Sequence, residues 1–279
     1  MTTTIIGTGL IGGSLALALK EKGIASKIIG VDANPLHQKK ALELGLVDTI
    51  MNMDEAIAAS KMVVLAIPVT QLMETLPAVL DNTTNQVILD VGSTKQSILS
   101  VIKNHPKRSR FVATHPMWGT EYSGPDAAEK NAFVNKACVI CNKEESDEDA
   151  VQLVEKIYRQ LGMHIIYMNA AEHDVHVAYI SHISHITSFA LANTVLEKER
   201  EENAIFELAS GGFESTVRLA KSNPATWSSV FKENRENVLD VLNEHISQLR
   251  KFKAGLEKEN YEYLEELMTN ANKIKRILK

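Results

Sequence analysis

The chain is poor in cysteine, in net positive charge and in long apolar runs, and each shortage excludes something. Two cysteines in 279 residues rule out a disulfide-stapled scaffold and fit a reducing compartment. No apolar run approaches the roughly 18 residues of a membrane-spanning helix, so no span is expected. The opening residues Met1-Thr2-Thr3-Thr4-Ile5-Ile6-Gly7 have neither a basic stretch nor a small-residue cleavage site. They do not read as a signal peptide, and a cytoplasmic location is expected. The formal net charge is −5 and the pI about 6.0, which argues against a protein that coats nucleic acid. Internal repeats and low-complexity tracts are absent. The one charge-dense stretch, Glu197 to Glu202, reads as a solvated helix end or loop. What is present is ordinary: 44% apolar and 23% charged residues, close to the averages of folded soluble chains. The length suits one large domain or two smaller ones.

The first half alternates short β-like runs with helical patterns. Thr4-Ile5-Ile6, Lys27–Val31, Met62–Ile67, Gln86–Val91 and Phe111–Thr114 read as strands. They are nearly continuous in apolar residues rather than alternating, which marks strands covered on both faces, as in a parallel sheet. The segments Lys136–Cys141 and His164–Met168 extend the sheet edge, with a helix from Asp147 to Leu161 between them. Ser146 is its candidate N-cap and Gly162 its C′ residue. Cys138 and Cys141 lie three apart on a strand and so point to opposite faces. That makes them structural rather than a redox pair or a zinc knuckle. Beyond about residue 170 the strands stop. One long helix is expected over Ala171–Glu197, then a Gly211-Gly212 break, then helices from an Asn223 cap with Pro224 at N1. Val238, Leu242, Ile246, Leu249, Phe252 and Leu256 form a stripe at helical spacing, suited to internal packing or to a second subunit. The implied architecture is α/β: a doubly wound Rossmann-type domain over residues 1–169, then an all-helical domain over 170–279.

Gly7-Thr8-Gly9-Leu10-Ile11-Gly12 is a G-x-G-x-x-G that follows a strand and opens a helix. Gly7 permits the tight turn, Gly9 lets backbone approach a pyrophosphate, and Gly12 lets helix pack on strand. Leu10 and Ile11 begin the helix, whose free N–H groups and dipole face the phosphates. Asp32 lies 20 residues after Gly12, where an acid accepts bonds from the adenosine ribose. A 2′-phosphate would meet like charge there, so NAD is expected over NADP, although Lys39 and Lys40 are near in sequence. Ligands of such sheets bind beyond the carboxyl ends of the strands. Pro68, Ser93 and His115-Pro116-Met117-Trp118-Gly119-Thr120-Glu121 all follow strands, and a histidine at such an end is well placed for proton transfer.

His173, His176, His182 and His185 fall on the expected long helix. On a regular helix at about 100° per residue, His173 and His176 face away from His182 and His185. Four histidines then cannot close one metal site, and no metal is expected. One face instead lines a cleft. Arg218, in the loop expected past the two glycines, suits bidentate carboxylate binding.

Taken together these motifs resemble the prephenate/arogenate dehydrogenase family, in its monofunctional form, across nearly the whole chain. The resemblance rests on Gly7–Ser14, Asp90-Val91-Gly92-Ser93-Thr94-Lys95, His115–Glu121 and Ser181-His182-Ile183-Ser184-His185. Gly211-Gly212-Phe213 with Arg218, and Ser222-Asn223-Pro224 with Trp227, complete it. It implies NAD-dependent oxidative decarboxylation of a cyclohexadienol, with prephenate favoured and arogenate the alternative, and a homodimer formed through the helical domain. No nucleic-acid or membrane partner is expected, no chorismate mutase segment ahead of the glycine turn, and no regulatory βαββαβ domain behind. By this resemblance His115 accepts the hydroxyl proton as neutral imidazole, with activity rising through its pKa, and Ser93 bonds the histidine and the substrate hydroxyl. Arg218 and His185 hold substrate carboxylate, Thr120 and Glu121 stand at the cleft mouth, and Trp227 lines the cleft near the dimer partner. Two positions depart from the family pattern. Ser184 stands where a proline is usual, and Glu214-Ser215-Thr216-Val217-Arg218 replaces R-D-x-T-R. A β-hydroxyacid dehydrogenase would need a lysine between Ala171 and Glu197, where none occurs. A ketol-acid reductoisomerase would need paired carboxylates that Glu172 and Asp174 do not supply. A nucleotide-sensing module would have no use for Ser93, His115 and Arg218 together.

Overall fold

The computed structural model describes residues 1–199 and 206–277. The strands are β1 (Thr2–Ile6), β2 (Lys27–Val31), β3 (Thr49–Ile50), β4 (Met62–Leu65), β5 (Val87–Asp90), β6 (Phe111–Pro116), β7 (Ala137–Cys141) and β8 (His164–Met168). The helices packed among them are α1 (Leu10–Glu21), α2 (Pro35–Glu43), α3 (Met53–Ala58), α4 (Val69–Asp81), α5 (Gln96–Ile102) and α6 (Glu148–Gln160). They form one eight-stranded sheet in the order β3-β2-β1-β4-β5-β6-β7-β8. Every pairing is parallel except β6 with β7. The order reverses between β1 and β4, which creates the crevice where such sheets bind ligands.

The near-continuous apolar strands are explained by their two covered faces. Ile5, Val64, Leu89 and Val112 enter one core, whereas Ile6, Val63, Ile88 and Ala113 enter the other. Each large aliphatic side chain buried this way is worth about 1.5–3 kcal/mol. Cys138 and Cys141 obey the same alternation, one in each core, and both are free thiols. Burial pushes the Cys141 thiol up to about 12.

After β8 come α7 (Ala170–Val177), α8 (Ile183–Glu199), α9 (Gly211–Val217) and α10 (Pro224–Glu233). Four expectations need correction. The long helix is not continuous, because a π-turn over Ala178–His182 separates α7 from α8. Gly211 and Gly212 open helix α9 rather than break one. Arg218 is therefore not in a loop but at the C-cap of α9, entering a 3-10 turn. Ser146 does not cap α6: Asp147 holds that place, and the Ser146 hydroxyl donates to the Phe111 carbonyl at 2.6 Å. Gly162 does take the left-handed conformation expected beyond α6, with φ +82°. Asn223 does cap α10, its side chain accepting from the Ala225 amide at 2.9 Å. In the charge-dense stretch, Glu197 and Lys198 are exposed on α8, and Arg200 to Glu202 lie outside the described residues.

By contacts the chain divides into Met1–Asn234 and Arg235–Lys279. The second unit is α11 (Arg235–Glu257) and α12 (Tyr261–Ala271). A Cβ on Gly255 would come within 2.6 Å of Leu264, so glycine there allows the two helices to close up. Val238 of the apolar stripe is buried, but Leu249, Phe252 and Leu256 are exposed.

Candidate active site

The glycine turn sits at the switch point. Gly7 has φ +94°, and a Cβ there would meet the Ala66 carbonyl oxygen at 2.4 Å. A Cβ on Gly12 would lie 2.0 Å from the Gly7 carbonyl oxygen, so neither position tolerates a side chain. A Cβ on Gly9, by contrast, meets nothing within 4 Å. Gly9 borders open space at the start of α1, where the amides of Leu10, Ile11 and Gly12 come before the first intrahelical bond. That is a cradle shaped for a phosphate group. Asp32 closes the turn, accepting from the Thr8 amide and hydroxyl at 2.9 Å each and from the Asn34 amide at 2.9 Å. Lys40 is turned onto Asp126 at 3.0 Å and Lys39 onto Glu43 at 3.8 Å. Neither lysine pairs with Asp32. Pro68 caps α4 at the end of β4.

A buried polar network lies beyond β5 and β6. Asp90 ends β5 and is fully buried with Lys95, its ion-pair partner. The Asp90 carboxylate also accepts from the Gly92 amide at 2.9 Å and the Thr114 amide at 3.1 Å. Asp174 of α7 accepts from the amides of Lys95 and Gln96 at 2.8 Å each, and so caps the start of α5 with a carboxylate. His115 Nδ1 and His173 Nε2 are 2.9 Å apart, and His173 Nδ1 lies 2.7 Å from Asp174 Oδ1. His115 is held well below its ordinary pKa by burial first, then by the protonatable rings of His173 and His182 and the ammonium of Lys95, which disfavour a further positive charge. At neutral pH it is neutral imidazole.

The π-turn brings the histidines together. One inserted residue rotates everything after it by roughly 100°, so His182 and His185 swing towards the side of His173. His173 and His182 are buried while His176 faces solvent. The Asn234 amide donates to the Asp174 carbonyl at 2.7 Å and to His182 Nδ1 at 3.2 Å. The His182 Nε2 atom is buried without a partner, and burial lowers the His182 pKa to about 4. His185 stacks on Trp227, with ring centroids 3.3 Å apart, and its Nδ1 donates to the Ser181 carbonyl at 3.1 Å. Burial lowers the His185 pKa as well.

The rim is built differently. Arg218 pairs with Glu121 at 2.6 Å, with about half of the Arg218 side chain exposed. The Glu121 carboxyl is held below its usual range by its own backbone amide, with Arg218 adding to the effect. Thr120 accepts from the Tyr122 amide at 3.3 Å. Glu121, Tyr122, Asp126, Lys221, Asn223 and Pro224 line a cleft of about 670 Å³. Ser93 is half-buried, and its hydroxyl has no bond to His115, whose ring partner is His173. Ser215 donates to the Gly212 carbonyl at 3.0 Å, and Ser184 is exposed on α8. His173, Asp174, Lys95 and Asn234 were not foreseen as members of the site. The adjacent His173-Asp174 pair was the available signal, but it needs knowledge that α7 abuts the start of α5.

A sheet of this order, with a glycine turn at its switch point and a neutral histidine at a neighbouring strand end, defines a nucleotide-dependent dehydrogenase. The chain belongs to the prephenate dehydrogenase family: residues 15–167 match the family's nucleotide-binding domain and 169–270 its dimerization domain. It is 32% identical to the prephenate dehydrogenase of Bacillus subtilis, covering 94% of this chain and 72% of that one. A solved structure of Aquifex aeolicus prephenate dehydrogenase, in complex with hydroxyphenyl propionate and NAD+, superposes with a TM-score of 0.90 at 30% identity. It covers 99% of this chain and 97% of its own. Synechocystis arogenate dehydrogenase has a TM-score of 0.75 at 26% identity, over the full length of both chains.

Proposed function

We propose that this protein oxidises prephenate with NAD+, releasing carbon dioxide and 4-hydroxyphenylpyruvate, a step of tyrosine biosynthesis. The observation that carries the mechanism is the neutral His115 at the end of β6, two strands from the switch point. Bound NAD+ supplies the two-electron acceptor for the hydride of the ring carbon that bears the hydroxyl. The open space at Gly9, the free amides of α1 and the carboxylate of Asp32 fit that cofactor, with Pro68 beside it. Asp32 leaves no place for a 2′-phosphate, and Lys39 and Lys40 are engaged elsewhere.

His115 takes the hydroxyl proton as the ring is oxidised, and Ser93 orients the substrate hydroxyl. Arg218 binds a substrate carboxylate through its planar fork, exchanging Glu121 for the ligand. His185, clamped by Trp227, adds a contact to the carboxylate, and Thr120 closes the mouth. We place the functional division at residue 170, with residues 170–279 forming the substrate and homodimer domain. The exposed Leu249, Phe252 and Leu256 of α11 support a second copy as partner. No described helix is long and apolar enough to cross a membrane. The reading places the enzyme in the cytoplasm, which two free, buried thiols support.

NADH absorbance, followed with prephenate and with arogenate, tests the assignment. Turnover of prephenate with NAD+ is expected. Preference for arogenate, the activity named for the Synechocystis relative, would correct the substrate, and no turnover of either would overturn the reading.

A further inference from the structure

We propose that Asp174 and His173 form a positioning relay that holds His115 as its Nδ1–H tautomer, leaving Nε2 bare to accept the substrate's proton. This builds on the reading of His115 as the proton acceptor. The Asp174 carboxylate is met by three N–H groups, from Lys95, Gln96 and His173. An ionised carboxylate only accepts, so His173 Nδ1 carries a hydrogen. A single ring hydrogen held at Nδ1 leaves His173 Nε2 as an acceptor, and the atom facing it at 2.9 Å, His115 Nδ1, donates to it. The hydrogen of His115 is thereby placed on Nδ1.

A free imidazole prefers the opposite tautomer, with its hydrogen on Nε2. Without the relay the outward nitrogen of His115 would be blocked as a base. The tautomer of a histidine is set by the bond its other nitrogen makes, and here that bond is fixed by buried partners. His173 and Asp174 are each 1% exposed, and the Asp174 carbonyl is tied to Asn234 at 2.7 Å. In the reaction the substrate O–H bond breaks, its proton bonds to Nε2, and the oxygen electron pair becomes the second bond of the new carbonyl. No proton travels along the relay. His115 keeps its Nδ1–H bond to His173, with the Asp174 charge behind it. The charged or titratable groups facing His115 are Lys95 from the β5–α5 turn, His173 with Asp174 from α7, and His182 from the π-turn.

The direct test is imidazole ¹⁵N spectroscopy of histidine-labelled protein, with the His115 signals assigned by their loss in His115→Asn. The expected spectrum shows His115 protonated at Nδ1 and bare at Nε2, and a proton on Nε2 would overturn the proposal. His173→Phe keeps the ring and removes both nitrogens. It should shift His115 to the ordinary tautomer and lower kcat about a hundredfold, with KM for prephenate and NAD+ binding within threefold. His173→Gln retains an acceptor near the Nε2 position and should recover kcat to within tenfold of wild type. Near-normal kcat in folded His173→Phe overturns the relay. If that variant does not fold, the wild-type spectrum and His173→Gln decide. The two readings fail separately: an inactive His115→Asn beside a fully active His173→Phe removes the relay alone. An active His115→Asn beside a wild-type Nδ1–H tautomer removes only the role of His115.

Discussion

The two sides of the candidate active site are built on different principles. Around His115, the carboxylates of Asp90 and Asp174, the ammonium of Lys95 and the ring of His173 are almost wholly buried, and each has a named partner. At the rim, Arg218 and Glu121 meet across an ion pair with half the arginine in solvent, and Trp227 holds His185 by stacking. A buried polar network is rigid when satisfied and costly when broken, which suits the single tautomer proposed for His115. An exposed ion pair is worth little, typically below about 1 kcal/mol, which suits the exchange of carboxylates proposed for Arg218.

Substitutions on the two sides should therefore differ in what they damage. The largest effect is expected for His115→Asn, which should lower kcat by roughly 10²–10⁴ with NAD+ binding, read by calorimetry, unchanged. Lys95→Met leaves Asp90 buried and unpaired. It should destabilise the fold by about 3–5 kcal/mol, seen in denaturant unfolding, and an unchanged midpoint would mean the network is slack. Acid should act on the same side. The His182 pKa is lowered from 6.5 to about 4, so its folded form resists protonation while the unfolded chain does not. The stability it confers is complete above pH 6.5 and is lost progressively towards pH 4. Unfolding midpoints measured between pH 7.5 and 4 should fall in that window, and less in His182→Asn.

On the rim, Arg218→Lys removes the bidentate fork and should raise KM for prephenate about tenfold, with a smaller change in kcat and none in stability. Glu121→Gln frees Arg218 from its competitor and should lower KM by about threefold at most, an effect that fades with added salt. A large loss of stability in either rim variant would erase the distinction between the two sides.

The same distinction governs what could be read from the sequence. The sheet was legible because buried strands demand apolar side chains on both faces, and Ile5 beside Ile6 or Val63 beside Val64 records that demand. The glycine turn was legible because Gly7 and Gly12 stand where no Cβ fits. His115 could be singled out from its place at a strand end. The relay behind it could not, because its members come from β6, the β5–α5 turn and α7, and only the packing of α7 on α5 joins them. The helical wheel misplaced His182 and His185 because it assumed a regular helix, and a π-turn has no sequence signature comparable to a glycine or a proline. β3, two residues long, is too short to carry a pattern.

The decisive measurement for His115 is the pH dependence of kcat/KM for NAD+-dependent oxidation of prephenate. Because His115 is held well below 6.5, the rate should stay level from alkaline pH down to about 6.5 and fall only below it. The limb should disappear in His115→Asn. A rate that still climbs between pH 7 and 9, or the same acid limb in His115→Asn, would contradict a neutral His115 as the proton acceptor.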